Sequence, residues 1–430
     1  MKKLILLSTV TAMSLFALEF VPLGYKSIGM GGAGVANASG SAAAYYNPAL
    51  LSKTRYTVEV SLGAGIGGRE INLIDPLDKL VNTYDLEGSL DTVADHAPIN
   101  GSNDEETKDN IKGALNEIYK LSEGNGLTIE PTAEFSFQVG RFALGVYGLG
   151  DLTATAVIDR QHMYLIVKDD KTNGYYYYNP YEDTYSSVSR EDYENYSLEY
   201  AIDNGLTNVT VDGLGIIEVP ISYAMDFDVK GAVVSLGMNL KYMQGTTYKN
   251  VLSIENTDSD KLEDSLSDNS KTSTSMGVDL GMLVRAGDFR FGIVGKYLNS
   301  PEFDYYDGTK YKIKPMVRGG VAVDLTNWLT FAMDIDLTEN NTGIKDYKSQ
   351  YIGGGINIHR SWLSIRAGAM RNLVQDEEGI ILTAGLGFGL KWFQLDVAAE
   401  AATKKGTYDG NDIPRYMKLN VALISRWGGN

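Results

Sequence analysis

The sequence predicts an all-β fold, a 14-stranded antiparallel transmembrane β-barrel, and three observations predict it. Apolar and polar residues alternate with period two along many segments. Tight turns alternate with long loops, the rim asymmetry of outer-membrane barrels. The four Trp residues fall beside one set of turns, where an interfacial aromatic girdle belongs.

The first element is a secretory signal at residues 1–17. Lys2 and Lys3 supply its charged start, Leu4 to Phe16 its apolar core and Ala17 its cleavage site. Residues 18–53 follow as a separate segment rich in Gly and Ala. Within it, Gly29-Met30-Gly31-Gly32-Ala33-Gly34 satisfies G-x-G-x-x-G. A dinucleotide site needs a strand before that motif and a parallel βαβ unit around it, and neither is present. Small residues here suit a segment that threads a narrow space with its backbone close to other elements. Ala42 to Ala44 suit a short helical turn that Tyr45 and Tyr46 anchor and Asn47-Pro48 ends.

The barrel is expected over residues 54–427, with strands near 55–65, 132–140, 142–158, 217–227, 232–247, 272–286, 289–299, 314–325, 328–338, 349–358, 361–371, 379–390, 392–402 and 414–427. In Leu329–Leu337 the apolar set is Leu329, Phe331, Met333, Ile335 and Leu337, against Thr330, Ala332, Asp334 and Asp336. A helix would scatter both sets around its circumference. Lipid permits such strands only when closed, because an open edge leaves unpaired amides in hydrocarbon. The same register turns Glu59, Glu134, Asp226, Lys241, Asp279, Arg285, Arg290, Lys296, Arg318, Asp324, Asp334, Asp336, Arg366, Asp396, Glu400, Lys418 and Arg426 into the lumen. Mixed signs suit mutual pairing better than an ion-selective constriction. Trp328, Trp362 and Trp392 open strands just after tight turns and Trp427 closes the last strand, so all four form a periplasmic girdle.

The long extracellular loops are 66–131, 159–216 and 248–271. Segments 66–131, 159–217 and 244–274 carry net charges of −9, −7 and −3, against −17 for the whole chain. The wall is therefore balanced. Ile111, Leu115 and Ile118 follow helical spacing within Asp104–Ser122, and Asp78–Asp91 is a second, weaker amphipathic stretch. Two such helices over the mouth either leave an apolar groove or pack on each other and the rim. Loop 159–216 is rich in Tyr, suited to amphipathic ligands or a partner.

Ser27–Ala36 (SIGMGGAGVA) with Ala44–Ala49 (AYYNPA) resembles the N-terminal signature of the FadL / OmpP1 / TodX superfamily, most closely its conjugal-transfer TraF-like branch. The resemblance implies a hatch, residues 18–53, that plugs the lumen, with Gly29, Gly31, Gly32, Gly34, Asn47, Pro48 and Ala49 in its motif. It implies passive uptake of a small hydrophobic or amphipathic compound through the bacterial outer membrane, with exit through a kinked third strand. That strand reads FALGVYGLGDLTATAV. Gly145, Gly148 and Gly150 interrupt it, its alternation changes phase between Val146 and Leu149, and a bulge would do this. Gly145, Gly148, Gly150 and Asp151 are the candidate lateral gate.

Other classes are excluded on chemistry. Net charge −17 opposes nucleic-acid binding. Zero Cys removes thiolate zinc sites and Cys nucleophiles. Of three His, His359 lies at a periplasmic turn and His96 and His162 lie in loops, so no enzyme is expected. The acidic run Asp258–Asp268 lacks the Gly and terminal Glu of a calcium loop. No cofactor or metal is expected, and the partners are outer-membrane lipid and lipopolysaccharide and a small hydrophobic ligand, with the chain a monomer. The alternative function is a structural or secretion- or conjugation-associated protein that binds a partner through its acidic Tyr-rich loops.

Overall fold

A computed structural model describes residues 19–53, 58–169, 171–254, 269–390, 392–408 and 410–428. The expected signal, 1–17, and the acidic run 258–268 lie outside the described residues.

Fourteen antiparallel strands close into one barrel. In chain order they are β1 (Val58–Ile71), β2 (Gly126–Val139), β3 (Phe142–Val157), β4 (Asn208–Val229), β5 (Ala232–Leu252), β6 (Ser270–Ala286), β7 (Phe289–Lys296), β8 (Met316–Thr326), β9 (Leu329–Asp336), β10 (Tyr351–Arg360), β11 (Leu363–Asn372), β12 (Ile380–Leu390), β13 (Phe393–Ala402) and β14 (Tyr416–Trp427). The seam between first and last strands runs from Val58 opposite Trp427 to Arg69 opposite Tyr416. Each strand pairs with its sequence neighbour, so no backbone edge faces lipid.

Alternation sets the two faces. Leu62, Phe135, Leu144, Ile221, Leu240, Phe291, Leu386 and Leu419 point outward and are exposed. Glu59, Lys241, Asp279, Lys296, Arg318, Asp334, Arg366 and Asp396 point inward and are buried. A protein surrounded by water would not present so continuous an apolar exterior. The lumen charges pair: Lys241 with Glu218 and Asp279, Arg318 with Asp336, and Arg366 with Asp396.

Several boundaries differ from expectation for physical reasons. β2 starts at Gly126 rather than near 132, and Pro131 sits inside the strand with its ring outward. β4 starts at Asn208 and β5 reaches Leu252; their upper ends are polar or covered on both faces, so the period fades. At roughly 3.4 Å per residue such strands exceed the ~25 Å apolar band and rise outside it. β7 ends at Lys296 because Tyr297 takes φ 55°.

The loops form a cap. Helices α1 (Leu86–His96) and α2 (Glu105–Lys120) arise in the first long loop, and Asp104 caps α2 by accepting from Thr107 N at 2.8 Å. The weaker stretch 78–91 is broken: Asp85 takes φ 41°, and α1 starts after it. The second long loop, unassigned from sequence, folds into a three-stranded sheet (Ile166–Asp169, Gly174–Asn179, Thr184–Val188) and helices α3 (Arg190–Tyr196) and α4 (Leu198–Asp203). Leu90, Val93, Ile111, Ile118, Val167, Tyr178 and Leu198 meet in one core. The helices thus pack on the sheet where an open groove was one expectation.

Candidate functional site

Residues 19–53 fill the lumen. The segment forms short helical turns at Tyr25–Ile28 and Ala43–Tyr46, and nearly every residue is buried. Too short to satisfy its own amides, it borrows partners from the wall. Asp334 Oδ2 accepts from Gly34 N at 2.7 Å and Val35 N at 2.9 Å. Glu59 accepts from Ser41 N at 3.0 Å, Thr383 Oγ1 from Gly31 N at 2.9 Å, and Arg290 donates to Ala36 O at 3.1 Å. The predicted lumen charges therefore serve two ends, mutual pairing and hatch attachment.

The motif residues all lie at this contact. Gly31 and Gly32 take φ 66° and 77°, where other residues are strained. Gly29 backs onto Arg366 and Gly385, and Gly34 lies against the Tyr46 ring. Asn47 Nδ2 donates to Val35 O and to Met282 O in the wall, both at 3.1 Å, while its Oδ1 accepts from Ala49 N at 3.0 Å. Pro48 and Ala49 press on β5 where it carries Gly237: a Cβ there would stand 2.2 Å from Ala49 N. Gly353 on β10 is matched likewise, its Cβ position 2.1 Å from Gly31 O. The sequence reading missed these wall glycines, because nothing local says what they face.

Aromatic rings and wall cations complete the seat. Lys296 Nζ lies 3.4 Å from the Tyr45 ring centre, and the Arg318 guanidinium lies 3.9 Å from that of Phe20. Tyr45 meets Tyr147 of β3 edge to face, centroids 5.3 Å apart. Above the hatch, Arg69 holds Glu19 at 2.8 Å and Glu378 at 2.6 Å. Between them a cavity of about 20 Å³ is lined by Glu19, Phe20, Arg69, Glu130, Met370 and Tyr416. That is room for about one water.

The third strand departs from expectation. Its register to β2 is constant from Gly126 opposite Thr155 to Val139 opposite Phe142, so it carries no bulge. The apparent phase change arises because Leu149, though apolar, faces the lumen and packs in the core that includes Tyr45 and Tyr147. The ladder is instead interrupted without slipping. Pairing with β2 skips Gly150 and Asp151, opposite Pro131 and Glu130. Pairing with β4 skips Gly145 and Val146, opposite Pro220 and Val219. Each gap has a proline facing a glycine, and proline has no N–H to give. Gly148 faces outward toward Ala133, while Asp151 is buried in the lumen and bonded to Thr153.

Trp328, Trp362, Trp392 and Trp427 lie exposed on the tight-turn rim. Trp362 stacks with Phe388, and Arg360 lies over Trp328.

A comparison with curated proteins found no match. Among solved structures, the CymD monoaromatic hydrocarbon channel shares 12% identity over 96% of this chain and 99% of that one, with TM-score 0.50. The Ralstonia pickettii toluene transporter TbuX shares 14% over 96% and 100%, with TM-score 0.49. A Pseudomonas aeruginosa FadL homologue shares 10% over 95% and 99%, with TM-score 0.45. At 12% identity the likeness to the CymD channel concerns the fold alone, and it is the fold the N-terminal resemblance implied. The family model described as "F plasmid transfer operon, TraF, protein" matches residues 44–336, which run from the hatch's AYYNPA motif to the end of β9. With well over half of its length matched, the chain belongs to that family.

Proposed function

We propose that this protein is an outer-membrane channel for passive uptake of a small hydrophobic or amphipathic compound, with exit through the wall at β3. In this reading residues 1–17 direct export, 18–53 are a displaceable hatch and 54–427 are the wall. The single chain stands in lipid and lipopolysaccharide with its Trp girdle at the periplasmic rim. The observation that carries the reading is the interrupted ladder on both edges of β3, next to a hatch ring, Tyr45, that touches it. A strand that lacks bonds on both sides is the part of a closed wall that parts most readily. The charged, water-sized cavity gives an apolar solute no straight path down the lumen. Lateral exit avoids that path once the hatch withdraws. Gly145, Gly148, Gly150 and Asp151 border the opening.

A disulfide tests it. The Cβ position of Gly148 lies 3.6 Å from Ala133 Cβ, within disulfide range. Oxidised Ala133→Cys/Gly148→Cys protein should stop taking up toluene into proteoliposomes, and reduction should restore uptake. Equal uptake in both states would defeat the proposal.

A second reading, partner binding by the cap, is favoured by one observation. Tyr164, Tyr181 and Tyr196 are exposed on a segment of net charge −7. Deleting residues 159–207 would then abolish partner capture and spare uptake.

A further inference from the structure

Three buried side chains form a row behind the third strand. Glu134 on β2 is the register partner of Tyr147 on β3, and Tyr147 is the partner of Glu218 on β4. All three face the lumen and none is more than 2% exposed. Each ends in an atom without a hydrogen-bond partner: Glu134 Oε2, Tyr147 Oη and Glu218 Oε1. Their remaining oxygens are committed, Glu134 Oε1 to Ser61 Oγ at 3.1 Å and Glu218 Oε2 to Lys241 Nζ at 3.2 Å. Buried polar atoms are as a rule paired; fifteen further buried side-chain atoms among the described residues also lack a partner, and this row is set apart by lying on three adjacent strands beside the Tyr45 ring.

The chemistry of the row defines what is missing. Carboxylates accept and do not donate, and a phenolic oxygen can also accept. Of the nearby cations, Lys241 bridges Glu218 and Asp279, Arg318 binds Asp336, and Lys296 lies over the Tyr45 ring. Tyr147 has one O–H and can serve at most one of the two flanking carboxylates, so the missing group is a further hydrogen-bond donor. A carboxylate-headed guest would be repelled, and a pure hydrocarbon would leave the orphans as they are. The present occupant is instructive. The phenol ring of Tyr45 lies against Tyr147, under the Lys296 ammonium, but its hydroxyl donates to Val21 O at 2.8 Å rather than to the acids. When the hatch withdraws, it vacates a phenol-sized space lined by unsatisfied acceptors.

We infer that Glu134, Tyr147 and Glu218 form a head-group site for a neutral, ring-sized amphiphile that carries an O–H or N–H donor. The inference rests on the uptake reading for the hatch withdrawal that opens this space.

Equilibrium dialysis of the full-length, detergent-purified protein tests it with p-cresol and toluene, which differ by one hydroxyl. p-Cresol should bind at least about tenfold more tightly, the size expected for a donor meeting a buried carboxylate. Benzoate should not compete. Glu134→Leu should erase most of the preference and leave toluene binding unchanged. Tyr147→Phe keeps the ring against Tyr45, preserves the fold where Glu134→Leu fails to, and should also weaken p-cresol selectively. Equal binding of the two probes, or a preference that survives both variants, would overturn the site. If the β2–β3 disulfide leaves uptake intact while p-cresol still binds through Glu134, the exit through β3 falls and the site stands.

Discussion

Pro131 of β2 lies across from Gly150 of β3 so closely that a Cβ on the glycine would stand 2.5 Å from the proline ring. The pair removes one N–H from the ladder and leaves Gly150 and Asp151 unpaired on that edge. Pro131→Ala restores the donor. It should stabilise the barrel by about 0.5–1.5 kcal/mol, one net hydrogen bond, and slow toluene uptake. Urea unfolding in detergent micelles and a proteoliposome uptake assay measure the two effects. A faster channel would contradict the seam.

The hatch hangs on Asp334, which takes two of its backbone N–H groups. Asp334→Ala leaves both donors buried and unpaired, at about 1–3 kcal/mol each. The hatch should loosen and the lumen conduct. Planar-bilayer recordings should show steady ionic conductance in the variant and little in the parent. Silent variant channels would mean that other anchors suffice.

Wall glycines test the same seat from the other side. Gly353→Val places a side chain into Gly31 O, which is 2.1 Å from the Cβ position. The barrel strands should still pair, because the new side chain points into the lumen, but the hatch cannot dock. Protease should then cut within residues 19–53 in folded, heat-modifiable protein. Gly319→Val on β8, whose Cβ position meets only Leu337 Cδ1 at 3.7 Å, is the matched control.

The barrel was legible because each spanning strand repeats one rule, apolar outward and polar inward, over eight residues or more. The hatch was legible through the resemblance of SIGMGGAGVA and AYYNPA to a family whose N-terminus plugs the lumen, and its small residues suit a narrow space. Contacts that join distant segments were not. Arg69 meets Glu19 and Glu378 across sequence separations of 50 and 309, and no local pattern marks them as partners. Leu149 misled for the opposite reason: an apolar residue inside the lumen mimics a change of phase. Pro131 lies inside β2, although proline is disfavoured in fully bonded sheets, because the ladder gives up its bond there. The sheet of the second loop was hidden because its tyrosines face both the cap core and solvent, which erases period two.

The cap should respond to pH through Glu199 on α4. Burial pushes its carboxyl up to about 7, although Lys168 N donates to it at 2.9 Å, and Asp203 is raised with it. In the unfolded loop Glu199 ionises near the ordinary value of 4.5. Between these two values the folded cap holds a proton that the unfolded loop has lost. Stability is therefore greatest below the lower value and falls as pH rises to the upper one. Amide hydrogen exchange in residues 164–203, corrected for intrinsic rates, should show more frequent opening at pH 8 than at pH 5. Glu199→Gln keeps an acceptor for Lys168 N, removes the titration, and should flatten most of the difference. An unchanged pH profile in that variant would assign the response to Asp203, which burial and the like charge of Asp91 raise.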